Sequence, residues 1–414
     1  MKHFKSLLFS SFALFPFLAF TDTIESRREI IEDNDIRALK DWLDTKRQVS
    51  LKEIGGDLSM SGEVRTEAQG SWNTIEKDHN RVDSNRRNYD VEFNFMLDYR
   101  TERTWSSIKL EFDNDAGVFY GSLNKINLER CYWGARLADT DCYTFDIEVG
   151  RRFMSAVFDS KVQFASYFDG ILFRYDRTFE NVGDFYIHAG PFVVNERKDH
   201  FAYIIEFGLQ NFMGTGLYSK LSFIDWDTKN YSVSFIDNRF EFLIGQFIEG
   251  YRFKIGCLGN RIGILYGAFL WNFEGKRREI TDYRRENWAA YAGISIGQLR
   301  KKWDWAFDFN YQIVKAQSIP DFDVSGIGLS SGNSGFYTED IRPLLSEGGK
   351  EVLPNTRLTA GGPTNYQGFS LRLDILLTDK IDLQQSYVQA VRLNDSIGPY
   401  RSFKFYEIEL IYSW

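Results

Sequence analysis

Hydrophobic and polar residues alternate with a period of two along much of this chain. From Trp303 to Ile313 every odd position is aromatic or aliphatic and every even one polar or small. Val91, Phe93, Phe95, Leu97 and Tyr99 stand in the same relation to Glu92, Asn94 and Asp98, and Phe201, Tyr203, Ile205, Phe207 and Leu209 to Glu206. Phe145, Ile147 and Val149 oppose Asp146, Glu148 and Arg152. The last residues repeat the pattern, with Tyr406, Ile408, Leu410, Tyr412 and Trp414 alternating with smaller or polar positions. A period of two is that of a strand whose faces meet different media, and a terminal aromatic suits a membrane interface. A soluble β-sandwich alternates as well, so the pattern alone does not name the medium.

Candidate strands fall near 57–69, 89–99, 105–112, 143–152, 162–176, 183–194, 200–209, 215–224, 230–236, 240–257, 261–271, 287–298, 303–315, 366–376, 381–392 and 403–414. They predict an all-β, antiparallel transmembrane barrel of about 16 strands, with 18 as the alternative count. If the last strand descends to the periplasm, strict alternation places the polar stretches 70–88, 113–142, 272–286 and 316–365 outside the cell. The turns 100–104, 299–302 and 377–380 then fall inside, the asymmetry expected of such barrels. The segment 240–257 changes parity between Phe242 and Tyr251, which predicts a bulge between Gly245 and Gly250.

Residues 1–20 carry Lys2 and Lys5 before an apolar run, the layout of a secretory signal, with cleavage expected near Ala19 to Thr23. Ile30, Ile31, Ile36, Leu39, Trp42 and Leu43 share one helical face, so residues 21–56 are expected to form a periplasmic helical segment ahead of a barrel at 57–414. Composition supports this reading. Aromatics make up 17% of residues and there are only 7 prolines, whereas ladders exclude proline and barrels need aromatic girdles. A mean hydropathy of -0.36 with 26% charged residues leaves no later run of the ~18 apolar residues that a spanning helix requires. The net charge of -8 becomes -10 once Lys2 and Lys5 are removed, which argues against a nucleic-acid partner.

Catalytic chemistry finds little support. The four histidines are His3, His79, His188 and His200, none beside a nucleophile motif, and no metal spacing or cofactor motif is present. Cys131 and Cys142 lie in one polar stretch, leaving open either a disulfide or two free thiols, and Cys257 reads as a small hydrophobe. The inward-facing set expected from parity is Lys109, Glu111, Asp146, Glu148, Arg152, Arg174, Glu206, Lys220, Asp304, Asp308, Arg372, Asp374, Glu407 and Glu409. Charges of both signs on one strand face imply a hydrated interior, and the excess of acids over bases points to a mild cation preference. The alternative is that these charges pair and only solvate the wall. Lys276, Arg277, Arg278, Arg284 and Arg285 form a basic external stretch that would be solvated or meet lipopolysaccharide. The long stretches 316–365 and 113–142 are the candidates for a segment folded inward to narrow a pore, against the alternative of exposed surface loops.

Three sets of residues resemble the general porins of Gram-negative bacteria and, more narrowly, the outer-membrane porins of chlamydia-related bacteria. They are Ile36 to Leu43 leading into Val49 to Gly56 and Ser61 to Arg65, then Lys109 to Asp115, and finally Tyr412-Ser-Trp414. Porins often end on Phe, and Trp414 departs from that. The resemblance implies a barrel inserted into the outer membrane by the barrel assembly machinery through its C-terminal strand, and passive diffusion of small hydrophilic solutes and ions. Outer-membrane lipid and lipopolysaccharide would surround it, and a homotrimer is open. Two other classes remain: a barrel acting as surface adhesin or antigen with its bore plugged, and a barrel hydrolase.

Overall fold

In the computed structural model the described residues are 49–53, 56–77, 80–115, 125–195, 200–226, 241–277, 281, 283–330, 344–345, 351–352, 363–397 and 400–414. The expected signal segment and most of the expected helical segment lie outside them. Among the described residues, sixteen strands form the wall: β1 (Gly56–Lys77), β2 (Asn80–Arg100), β3 (Thr104–Asp115), β4 (Lys125–Asp139), β5 (Tyr143–Phe153), β6 (Tyr167–Phe179), β7 (Gly183–Asn195) and β8 (His200–Phe212). The circuit continues with β9 (Leu217–Trp226), β10 (Phe242–Ile255), β11 (Arg261–Asn272), β12 (Trp288–Gly297), β13 (Trp305–Val314), β14 (Tyr366–Thr378), β15 (Ile381–Arg392) and β16 (Arg401–Ser413). Each strand pairs antiparallel with the next, and β16 pairs with β1 from Arg401↔Ile75 to Ser413↔Glu63, which closes the sheet and removes its edges. Trp414 and Gly62 exchange two further backbone hydrogen bonds of 3.0 and 3.2 Å at that seam.

One end of the barrel carries short turns, at 101–103, 140–142, 180–182, 213–216, 256–260, 298–304 and 379–380; the other carries the long connections, together with two short links, Lys77 to Asn80 and Asn195 to His200. Backbone freedom matters in the β8–β9 turn, where Gly214 and Gly216 have φ of 72° and 83°. The outward side chains form an apolar belt that includes Val91, Trp133, Tyr203, Phe247, Leu265, Phe269 and Leu410, all exposed. So extensive a solvent-facing apolar surface on a closed sheet is the outside of a membrane barrel.

The expected number of strands is found, but the strands are not all the expected ones. β4 occupies 125–139, within the stretch 113–142 that the sequence places in an external loop. Two register shifts, at Lys109/Leu110 and Arg136/Ala138, interrupt its pairings, so its outward residues switch from Ile126 and Leu128 to Cys131 and Trp133 and no single parity survives. With β4 missing from the expected order, strict alternation turns the candidates from 143–152 to 215–224 upside down. β9 and β10 are hydrogen-bonded directly to each other, and the candidate at 230–236 lies outside the described residues.

Three further expectations are corrected. Val49–Glu53, the end of the expected helical segment, is a short strand paired with Gly56 to Met60. Residues 70–88 are mostly strand, a continuation of the β1–β2 ladder as far as Lys77↔Asn80. β10 has no bulge, and its register with both neighbours is unbroken. Its change of apparent parity has another cause: Phe242 and Ile244 point inward, into an apolar core inside the barrel.

Candidate channel interior

The inner face divides into two sectors. From β6 to β16, the half nearer the long connections is apolar: Phe168, Leu172, Phe192, Ile204, Ile224, Trp226, Ile244, Leu270, Val314, Tyr366, Val388 and Phe403 are buried there in one cluster. Two connections fold in to cover it. Loop A, residues 154–166, contributes Met154, Phe158, Val162 and Phe164, each at 0% exposure. Loop B, residues 315–330, contributes Ile319, Val324 and Ile327. An aromatic chain runs from loop to wall to loop, Phe164 to Phe158 to Phe168 to Phe192 to Trp226 to Phe322, with centroids 5.0–6.2 Å apart.

The loops are clasped to each other. Asp323 accepts backbone N–H bonds from Phe164 and Ser166, both at 3.1 Å, while the Ala165 N–H donates to the Asp323 carbonyl and the Ser325 N–H to the Val162 carbonyl. Burial pushes the Asp323 carboxyl up to about 7, against the pull of those N–H donors. Loop A is also stitched to the wall. Lys161 meets Asp308 at 3.3 Å, Lys220 meets Asp159 at 3.3 Å, Gln246 donates to the Asp159 carbonyl at 2.7 Å, and Gln312 donates to the Lys161 carbonyl at 3.1 Å. These contacts identify the face bearing Lys220, Gln246 and Asp308 as the inner one.

The other sector, on β14 to β16 and β1 to β5, is charged and remains open to solvent. Arg65, Lys109, Arg136 and Arg372 keep 30, 21, 30 and 51% of their side-chain surface exposed although they point into the barrel. Glu148 lies between Arg152 and Arg174, the latter at 3.5 Å, and accepts from Trp105 Nε1 at 3.1 Å. Asp146 pairs with Arg136 at 3.0 Å and Lys109 with Glu129 at 2.5 Å. Arg372 pairs with Asp374 at 3.0 Å, Gln69 donates to Glu407 at 3.0 Å, and Gln384 donates to Glu409 at 2.8 Å. Where the sectors meet, Arg174 donates to His188 Nε2 at 3.4 Å and Tyr186 to Glu206 at 2.8 Å.

Of the residues expected to face inward, Lys109, Glu111, Asp146, Glu148, Arg152, Arg174, Glu206, Lys220, Asp308, Arg372, Asp374, Glu407 and Glu409 share this face through the cross-strand register. Asp304 does not. It precedes β13 and closes a turn, accepting N–H bonds from Arg300 and Lys301 at 3.1 and 3.0 Å and one from Arg261 at 3.2 Å. Although burial opposes it, those N–H groups and the Arg261 guanidinium hold the Asp304 carboxyl below its ordinary range.

Cys131 and Cys142 are free thiols. At about 3.3 Å per residue, β4 alone holds Cys131 about 26 Å from its end at Asp139, whereas a disulfide needs Cα atoms within roughly 7 Å. Of the expected second constriction at 113–142, residues 125–139 are wall strand and 116–124 lie outside the described residues, while loop A and the described part of 316–365 fold inward. The sequence reading missed Asp159, Lys161 and Asp323, and also Glu63, Glu67, Glu92 and Glu129 on the charged wall. Alternation in β1 and β2 reveals Glu63, Glu67 and Glu92, whereas the register shift in β4 hides Glu129. Among the described residues no three His, Cys, Asp or Glu side chains are placed to share a metal ion.

Neither a family model nor a curated protein matches the chain. Solved structures do. OprB of Pseudomonas putida at high pH superposes with a TM-score of 0.52 at 10% identity, covering 87% of this chain and 94% of that one. OmpF of Salmonella typhi in complex with daunomycin gives 0.47 at 10% identity over 88% of this chain and 100% of that one. The outer membrane channel DcaP of Acinetobacter baumannii gives 0.46 at 9% identity over 88% and 99%. The similarity to OprB establishes that the chain has the fold of that barrel.

Proposed function

We propose that the protein is an outer-membrane channel through which small hydrophilic solutes and ions diffuse, with a weak preference for cations. One observation carries this reading. The two inward loops cover only the apolar sector, and water still reaches Arg372, Arg65 and Lys109 on the inner wall. Sixteen strands enclose enough space for both a packed loop core and a wet path. The path is lined by Lys109, Glu111, Arg372, Asp374, Glu407 and Glu409, together with Glu63, Arg65, Glu67 and Glu92, so acids exceed bases along it and cations are favoured. The long-connection end faces outward toward lipopolysaccharide, β16 is the strand that the assembly machinery engages, and the apolar outer face accommodates a homotrimer. The narrower resemblance to porins of chlamydia-related bacteria rests on the sequence segments alone.

Reconstitution of refolded protein into planar bilayers tests this. Stepwise current with a cation-selective reversal potential in a salt gradient supports the proposal, and absence of steps overturns it. A plugged barrel presenting surface loops is the second reading, favoured by the size of the loop core; it requires an intact barrel that carries no current.

A further inference from the structure

The charged sector holds one patch whose hydrogen-bond acceptors outnumber its donors. On β16, β1 and β2 the register places Glu409 opposite Glu67, Glu407 opposite Gln69, Glu92 opposite Arg65 and Asn94 opposite Glu63. With Asp90 opposite Glu67, six carboxylates thus share adjacent rungs with a single guanidinium. The donors present are committed. Arg65 is bound to Glu63 and lies 3.8 Å from Glu92, Asn94 Nδ2 donates to Glu92 and Glu63, Gln69 donates to Glu67 and Glu407, and Gln384 donates to Glu409. Two acceptors are left over, Glu409 Oε2 and Asn94 Oδ1, in residues only 5% and 0% exposed. Buried acceptors without a donor cost free energy until a donor arrives.

We propose that this patch is a dwell site for organic ammonium ions, primary amines and diamines, on their way through the barrel. The proposal rests on the channel reading above. It requires a visitor that carries both positive charge and N–H groups. A bare metal ion fits less well, because among the described residues no three carboxylates are placed to share one. An ammonium instead needs one or two oxygens per N–H, at charge-assisted hydrogen-bond distance. Successive inward residues on a strand are about 6.6 Å apart and neighbouring strands about 4.8 Å apart, so a short diamine reaches two rungs at once.

The test uses single channels in bilayers bathed in KCl near pH 9, with 1,4-diaminobutane or MgCl2 added at equal charge. The diamine should reduce the wild-type current, and its half-blocking concentration should rise roughly tenfold in the Glu67→Gln, Glu409→Gln double variant, as expected for losing a charge-assisted hydrogen bond. Magnesium should block less and respond little to the substitutions. Equal block by magnesium, or an unchanged diamine response in the double variant, overturns the inference while the stepwise current leaves the channel itself standing. Absence of steps in the wild type overturns the channel reading instead. Should the double variant fail to insert, Glu409→Gln alone carries the comparison, with a shift of roughly threefold expected for the weaker perturbation.

Discussion

On β10 the inward residues Phe242, Ile244 and Ile248 are sealed, at 7, 0 and 2% exposure. On β1, across the barrel seam from β16, the inward residues are Glu63, Arg65 and Glu67, and Arg65 keeps 30% of its side chain in water. Both strands obey the same period of two, and both present apolar residues outward. The difference lies in what the inside is made of. Alternation decides which residues face in, but a membrane barrel interior need not be uniformly polar when connections fold back to provide a second apolar surface. Half of this bore is a small protein core with ordinary packing, and half is a hydrated wall.

The largest expected effect tests the packed half. Phe158→Ala removes the ring that joins Phe164 to Phe168 and should cost about 3–5 kcal/mol of loop docking. The measurement is unitary conductance, which should rise and become noisy as loops A and B loosen. An unchanged conductance would mean that the loops do not limit the path.

Next comes acidity. Asp323 has its carboxyl raised to about 7 in the docked loops, while a free aspartate titrates near ~3.9. Between those values the undocked carboxyl loses its proton and the docked one keeps it. Docking is therefore strongest below about pH 4, weakens as pH rises toward 7 and is level above that, by up to about 4 kcal/mol in all. Asp323→Asn should abolish the slope. Thermal unfolding of the reconstituted barrel as a function of pH reads both, and a wild-type profile rising through that window contradicts the assignment.

On the hydrated half, Glu92→Gln with Glu407→Gln should move the reversal potential in a salt gradient toward zero, because fewer fixed acids line the path. A shift toward stronger cation preference would place the path elsewhere. The smallest effect is expected at the turns: Cys142 and Cys257 are exposed thiols at the turn end, and labelling them with a small maleimide should leave conductance unchanged.

How much of this was legible depended on local regularity. β13 and β16 could be read almost to the residue, since Trp305, Phe307, Phe309 and Tyr311, and then Tyr406, Ile408, Leu410 and Tyr412, all face out without interruption. β4 could not, because two register shifts break its parity. Loop A is hidden for the opposite reason: Val162 and Phe164 precede the apolar inward residues of β6 and continue their period of two. The acids of β1 escaped notice because its outward residues Gly62, Val64, Thr66 and Ala68 are small, which makes a weak apolar stripe. Clasps such as Asp323 to Phe164 and Ser166 join residues far apart in sequence, and no spacing rule anticipates them.

The central claim is that ions pass along β14 to β16 and β1 to β5 while the sector under loops A and B is closed. Single cysteines at Glu67, Arg372, Ile244 and Val388, in a background with the three native cysteines replaced by serine, test it most directly through current recorded during exposure to a charged, water-soluble thiol reagent. Stepwise current loss at Glu67→Cys and Arg372→Cys, with no response at Ile244→Cys and Val388→Cys, is the result predicted; modification of the latter pair with silence at the former would contradict it.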